Sequence, residues 1–486
     1  MNDSFFKIDD ITWNDLDMDE VFTKIDTSSS SVGREYLMSS LKSLSFDEDF
    51  LRLRSKRSNC LNDNPGLLKD FDKVFAGLGF TKKISFLDYI FRLNELQADG
   101  NLKHYLMIVF LVAALAMLFI KPIIGIIGII VMFAVNIGSY FALKGKIEAY
   151  FICVKYLAAM VIAARKIANM KLAGTPFEVL RDDLVRLSGT FASVKRGSWL
   201  ITNSVSGSLT DVVMDYLRML FHIDLIKFNN MRKTATDNAA AVRELYNALG
   251  EIQLSMCICR YRQSLSLHCV PSFDNNRKEV RFDDICHPLI SNPVSNSIEY
   301  TKALLLTGSN ASGKSTFLKS VAINQIFAQT IYTCLAARYN TCFCKVLTSM
   351  ALTDNVMEGE SYFVVEIKSL KRIMDELGDV TVMCFVDEVL RGTNTRERIA
   401  ASSVILRALS SADCIVFAAT HDIELTRLLA GDMKNYHFTE KISEGQVKFD
   451  YLLREGPSDS SNAIALLEMY GFESETVAKA RELADK

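Results

Sequence analysis

The chain carries almost no net charge: 55 lysines and arginines against 57 aspartates and glutamates leave −2 over 486 residues. A global basic bias, the usual electrostatic footprint of a nucleic-acid binder, is therefore absent, and no partner class follows from charge. The chain also lacks the paired C-x-x-C framework of a zinc site. Its 11 cysteines include Cys257-Ile258-Cys259 and Cys342-Phe343-Cys344, but most sit among apolar residues and read as small core side chains, reduced as in the cytosol. Residues Met1–Asp10 show no basic region followed by an apolar core, so no cleaved leader is evident, and there is no internal repeat.

The sharpest absence is local. From Tyr105 to Phe141 the only charged residue is Lys121, followed by Pro122, which leaves apolar stretches of 16 (Tyr105–Ile120) and 21 (Ile123–Leu143) residues. At about 1.5 Å per residue the second spans a hydrocarbon core of roughly 30 Å; the first reaches it when Lys103 and His104 snorkel. Proline ends the first helix at Lys121, so the reading is a transmembrane helical hairpin over residues 103–146. Lys103, Lys144 and Lys146 outnumber Lys121, which puts both long flanking segments on the cytoplasmic side and makes the chain a multi-pass membrane protein. The competing reading is a buried hairpin in a soluble core.

What is present points to polyphosphate. Gly308-Ser309-Asn310-Ala311-Ser312-Gly313-Lys314-Ser315 is a complete G-x-x-x-x-G-K-S loop entered from the apolar run Ala303–Leu306. A strand ending in such a turn and feeding a helix aims backbone N–H groups and a helix dipole at one point. Lys314 reaches the β and γ oxygens, and Ser315 is placed to ligate Mg²⁺. A second apolar run, Val380–Val386, ends in Asp387-Glu388: Asp387 would hold Mg²⁺ through its water shell, and Glu388 would polarise the attacking water. A third run, Cys414–Ala419, ends in Thr420-His421, at the sheet edge where doubly wound folds place ligands.

These parts, in this order, resemble the ATPase domain of the MutS family, an ABC-type ATPase. The Gly308–Thr316 segment resembles its phosphate loop, and Asp387-Glu388-Val389-Leu390-Arg391-Gly392-Thr393 its Asp-Glu-x-x-Arg-Gly-Thr run, with Leu390 where family members commonly have glycine. Ala419-Thr420-His421 with Glu424-Leu425-Thr426 resembles the switch-histidine segment. Gly359–Glu366 resembles the loop and helix start that reach a partner's nucleotide, so the resemblance implies a homodimer in which Ser361 caps the γ-phosphate bound by the other subunit. It further implies an ATP hydrolase using ATP and Mg²⁺, with Lys314, Glu388 and His421 catalytic. His287–Pro293 resembles the segment whose aromatic residue stacks on adenine, where this chain offers Leu289 or Ile290; aliphatic packing selects a base less sharply than a ring does, so the choice of ATP over GTP stays open.

The expected architecture is an α/β P-loop ATPase domain with a mixed or parallel sheet over 271–486, preceded by an all-α part: a MutS-core-like segment (1–102), the hairpin (103–146) and a lever-like segment (147–270). Residues 15–80, 147–170 and 206–262 carry helical periodicity, and Asp211, Asp215, Arg218 and Asp224 interrupt the last too often for a third membrane span. Leu245–Leu254 resembles the family's lever helix. The family's mismatch readers carry a Phe-x-Glu wedge and a clamp, for which the chain has little room, so DNA would be held by phosphate contacts without mismatch specificity. The functional expectation is a membrane-anchored MutS-like ATPase whose helical part engages an unknown protein partner. The alternatives are a membrane-tethered DNA repair or recombination protein and a nucleotide-gated scaffold with little turnover.

Overall fold

The computed structural model describes residues 4–81, 84–90, 92–96, 100–192, 209–309, 312–350, 362–390, 393–443, 446–458 and 472–484. The chain divides into two compact units. One gathers the chain up to Ile25, Ser39–Ser55 and everything from Arg260 onward; the other holds Asp26–Met38 and Lys56–Cys259. Residues 4–25 and 39–55 thus group with the half that carries the phosphate loop, a division that helical periodicity alone does not reveal.

The first unit is α/β. Its main sheet runs in the order Arg454–Glu455, Lys434–His437, Ala303–Thr307, Cys414–Thr420, Val382–Asp387, Lys345–Ser349. All neighbours are parallel except the Arg454–Glu455 edge. The Ala303–Thr307 and Cys414–Thr420 strands are buried at every position, because helices cover both faces of such a sheet and its strands must be apolar throughout. Register aligns Thr420 with Thr307 and Ala419 with Asp387, so three strands finish level with one another. The outer edge at Lys345–Ser349 does not present bare backbone. Thr348 N donates to Thr12 Oγ1 (3.2 Å) and Met350 N to Asp15 Oδ2 (3.0 Å), both acceptors on the short Asp10–Asp15 helix. Covering an edge strand in this way blocks pairing with another chain. A second sheet, Ser272–Phe273, Arg338–Thr341, Val280–Ile285, Asn296–Thr301, completes the unit.

The second unit is helical. Leu102–Ile120 and Pro122–Ala168 form the antiparallel pair expected from Lys121-Pro122. The second helix does not stop at residue 146 but runs unbroken from Pro122 to Ala168, 47 residues in all, because neither Gly145 nor the lysines around it supply a helix stop. Its distal part, Cys153 to Ile167, is buried in a core with Phe71, Phe86, Phe177 and Leu249. Each such apolar side chain contributes about 1.5–3 kcal/mol relative to exposure. Its proximal part and the partner helix are the opposite case. Only 11% of the most apolar window in Leu102–Ile120 is buried and 17% of that in Pro122–Ala168, so most of both windows lies at the surface of the described residues. The Ala239–Ser264 helix carries the lever-like Leu245–Leu254 segment, where Gly250 lies directly against the Tyr36 ring.

Candidate active site

The phosphate loop takes its shape from two glycines with left-handed φ. Gly308 (φ 145°) turns the chain out of the Ala303–Thr307 strand, and a Cβ there would meet Ser312 Oγ at 2.9 Å and Phe438 O at 3.0 Å. Gly313 (φ 107°) opens the Lys314–Thr330 helix. Lys314 is buried, its ammonium donating to Gly308 O (2.7 Å) and Ser309 O (2.9 Å). Ser309 Oγ donates to Glu440 Oε2 at 2.9 Å, and Thr316 is exposed on the cavity wall. Asn310, Ala311 and Ser361 lie outside the described residues, as do Arg391 and Gly392.

The aligned strand ends bring the acids to this loop. Ser315 Oγ donates to Asp387 Oδ2, while Asp387 Oδ1 and Ser312 Oγ are buried without a hydrogen-bond partner among the described residues. A serine hydroxyl paired with a strand-end carboxylate that retains an unused oxygen is the donor set a hard divalent cation takes, so the residues fit Mg²⁺. Glu388 follows with a left-handed backbone (φ 61°), its N–H donating to Ala419 O at 2.9 Å. His421 Nε2 contacts Glu388 Oε1, and His421 Nδ1 lies 3.2 Å from Gly308 O. Arg398 clamps Asp422, the next residue, through both carboxylate oxygens (2.8 and 2.6 Å) and so fixes the turn carrying His421.

A cavity of about 570 Å³ opens over Gly313, Lys314 and Ser315, bounded by Asp387 and Glu388. Its wall mixes aliphatic and aromatic side chains. Ile290 lines it and Leu289 does not, while two aromatic side chains, Phe438 and Tyr451, come in from a distant stretch of chain. Tyr451 stands over the loop, 3.1 Å from where a Gly313 Cβ would lie. It is held by Asn296, whose Nδ2 donates to Tyr451 O (3.1 Å) and whose Oδ1 accepts from Leu453 N (2.7 Å). No local motif announces Tyr451, Asn296, Arg398 or Phe438. His287, also on the wall, is pushed down to about 4 by burial and then by Lys319, with Asp17 opposing, so it is neutral near pH 7; its Nδ1 accepts from Leu289 N.

With this geometry in hand, the kinship is specific. Residues 304–486 match the family model for MutS domain V. A DNA mismatch repair protein MutS of Thermus thermophilus is 30% identical over 53% of this chain and 32% of its own length. MutS of Natronomonas pharaonis is 29% identical over 54% and 32%, and the DNA mismatch repair protein MSH3 of Candida glabrata 25% over 62% and 32%. The chain spans about a third of the length of the curated relatives it matches. The shared portion centres on the domain that holds the loop, the acids and His421, and it is over residues 304–486 that the chain is similar to the MutS family.

Proposed function

We propose that the chain is a membrane-anchored MutS-like ATPase whose helical unit passes nucleotide state to a protein partner. The observation that carries the ATPase reading is the convergence of Lys314, the Ser315–Asp387 pair, Glu388 and His421 on one cavity. Lys314 offers the counter-charge for the β and γ oxygens, and Ser315 with Asp387 would hold the metal, which when bound supplies charge neutralisation at the phosphates. Glu388 takes a proton from the attacking water, and His421, already touching Glu388 and the Gly308 carbonyl, orients that carboxylate. Phe438 and Tyr451 supply the aromatic faces a purine needs. The family's head-to-tail pairing would bring Ser361 to the partner's site.

Two substitutions separate binding from turnover. Lys314→Ala is expected to weaken ATP binding, whereas Glu388→Gln keeps binding and lowers kcat by about 10²–10⁴-fold. Equal hydrolysis by Glu388→Gln and the unaltered protein would remove Glu388 from its role. If removing Lys314 abolishes function in cells while Glu388→Gln does not, the nucleotide-gated scaffold replaces the ATPase.

The membrane reading is supported by the hairpin's exposed apolar surface, where Phe119, Ile120 and Ile123 are 92%, 72% and 75% exposed. A bilayer covers such a surface, and both flanking parts then lie in the cytoplasm. The second reading, a tethered DNA repair protein, draws on the relatives' names. Its mark would be salt-dependent duplex binding, with equal affinity for matched and mismatched DNA if phosphates alone are contacted.

A further inference from the structure

The helix Leu209–Phe221 packs against both helices of the hairpin and leaves Val212, Val213, Tyr216 and Leu217 exposed, at 49%, 57%, 56% and 38%. Positions i, i+1, i+4 and i+5 fall on one helix face. Its C-terminal end is locked to the hairpin by a buried polar cluster. Asn136 Nδ2 donates to Leu220 O (2.8 Å), His222 Nε2 lies 2.9 Å from Asn136 O, and the Nδ1 atoms of His104 and His222 are 2.8 Å apart. Just beyond, Tyr140 donates to Asp224 Oδ2 (2.6 Å), with Lys144 3.6 Å from the same oxygen.

The depth of this lock decides what the exposed face meets. Asn136 follows Pro122 by 14 residues, about 21 Å along the helix, which in a core of roughly 30 Å leaves it about 9 Å below the near surface. Helices that lie in the membrane plane ride about 5–10 Å into the headgroup–acyl boundary. At 13 residues, about 20 Å, the helix is too short to cross. Backbone carbonyls near lipid must find partners inside the protein, which accounts for a buried asparagine spent on Leu220 O. The charges that rule out a third span are partly neutralised, Arg218 pairing with Asp215 at 2.9 Å.

We propose that Leu209–Phe221 is a third membrane element, an in-plane helix that sets Val212, Val213, Tyr216 and Leu217 against the lipid at the cytoplasmic headgroup–acyl boundary. This rests on the hairpin being a membrane anchor, and the test separates the two. The full chain is reconstituted in phosphatidylcholine vesicles carrying lipids brominated either high or low on the acyl chain. Tryptophan is introduced by Tyr216→Trp, by Val213→Trp as a second reporter on the same face, by Phe110→Trp in the first hairpin helix, and by Val404→Trp on an exposed helix of the ATPase unit; Trp13 and Trp199 of the unaltered protein set the background. Quenching of Phe110→Trp mainly by the deep label, and of Tyr216→Trp and Val213→Trp by the shallow label, about twofold over the deep one, is expected, with Val404→Trp untouched. If Phe110→Trp is quenched while both face reporters are silent, or are quenched more by the deep label, the in-plane helix is overturned and the anchor stands. If no reporter is quenched, the anchor fails and this helix with it.

Discussion

Leu390 sits in the left-handed region (φ 61°) with its side chain 5% exposed, just where family members commonly carry glycine. Two effects oppose each other in Leu390→Gly: relief of left-handed strain, about 1 kcal/mol, and loss of a buried leucine, about 2–5 kcal/mol with its cavity. Burial wins, and a lower unfolding temperature is expected. The buried Glu366 carboxylate accepts from Leu390 N and so pins the same turn; Glu366→Ala strands that N–H, costing about 1–3 kcal/mol, and is expected to lower ATP turnover with it, while Glu366→Gln retains an acceptor and most of both. His287 adds a pH dependence. Its folded-state value of about 4 lies below the ordinary 6.5, so between these values the unfolded chain binds the proton more tightly. Stability is therefore fully present above about pH 6.5 and falls by up to ~3 kcal/mol as pH drops toward 4. His287→Gln is expected to flatten that part of a stability-against-pH curve; an unchanged slope would show that the ring is already protonated or solvated. The phosphate loop and Asp387-Glu388 were legible because their geometry is local, a strand followed at once by its turn. Tyr451, Asn296 and Arg398 were not, since each reaches the site through a tertiary contact that no spacing in the chain encodes.

At the scale of elements, Pro122 announced the hairpin turn, and charge depletion announced its two arms. The length of the second arm could not be read, because composition changes from lipid-like to amphipathic near residue 144 without a proline or a cap to stop the helix. The two arms approach closely at Gly125, where a Cβ would lie 2.6 Å from Leu118 N, a backbone atom that cannot swing aside. Gly128 meets Ala114 Cβ at 3.2 Å, whereas Gly138 on the same helix has nothing within 4 Å. Gly125→Leu is accordingly expected to pry the arms apart and destabilise the detergent-solubilised protein by about 1–3 kcal/mol. Gly138→Leu should be tolerated. Thermal unfolding of the two variants side by side checks this, and equal melting would mean that the arms do not pack through Gly125.

At the scale of the molecule, the question is what covers the hairpin. Nineteen large apolar side chains between Leu102 and Phe141 are exposed, from Leu102 at 70% to Phe141 at 58%. Monomeric soluble proteins rarely leave a contiguous apolar patch of more than a few hundred Å² in water, so either lipid or a second copy of the chain must lie over it. The two coverings make different demands. A second copy buries one side of a helical pair and leaves the other side wet, but here the exposed residues include Ile124 and Phe133, about two and a half turns apart and so on opposite sides of one helix. Lipid wets a helix all round and asks for this pattern. The protein is therefore expected to sediment with membranes, to stay there through high salt and alkaline carbonate, and to leave the membrane only with detergent. On the proposed two-pass reading, protease added to sealed vesicles should reach both the Lys56–Leu78 stretch and the unit that carries the phosphate loop from one face, or neither. Release by carbonate would hand the apolar surface to a second copy, and cleavage of one unit from each face would exclude a two-pass hairpin.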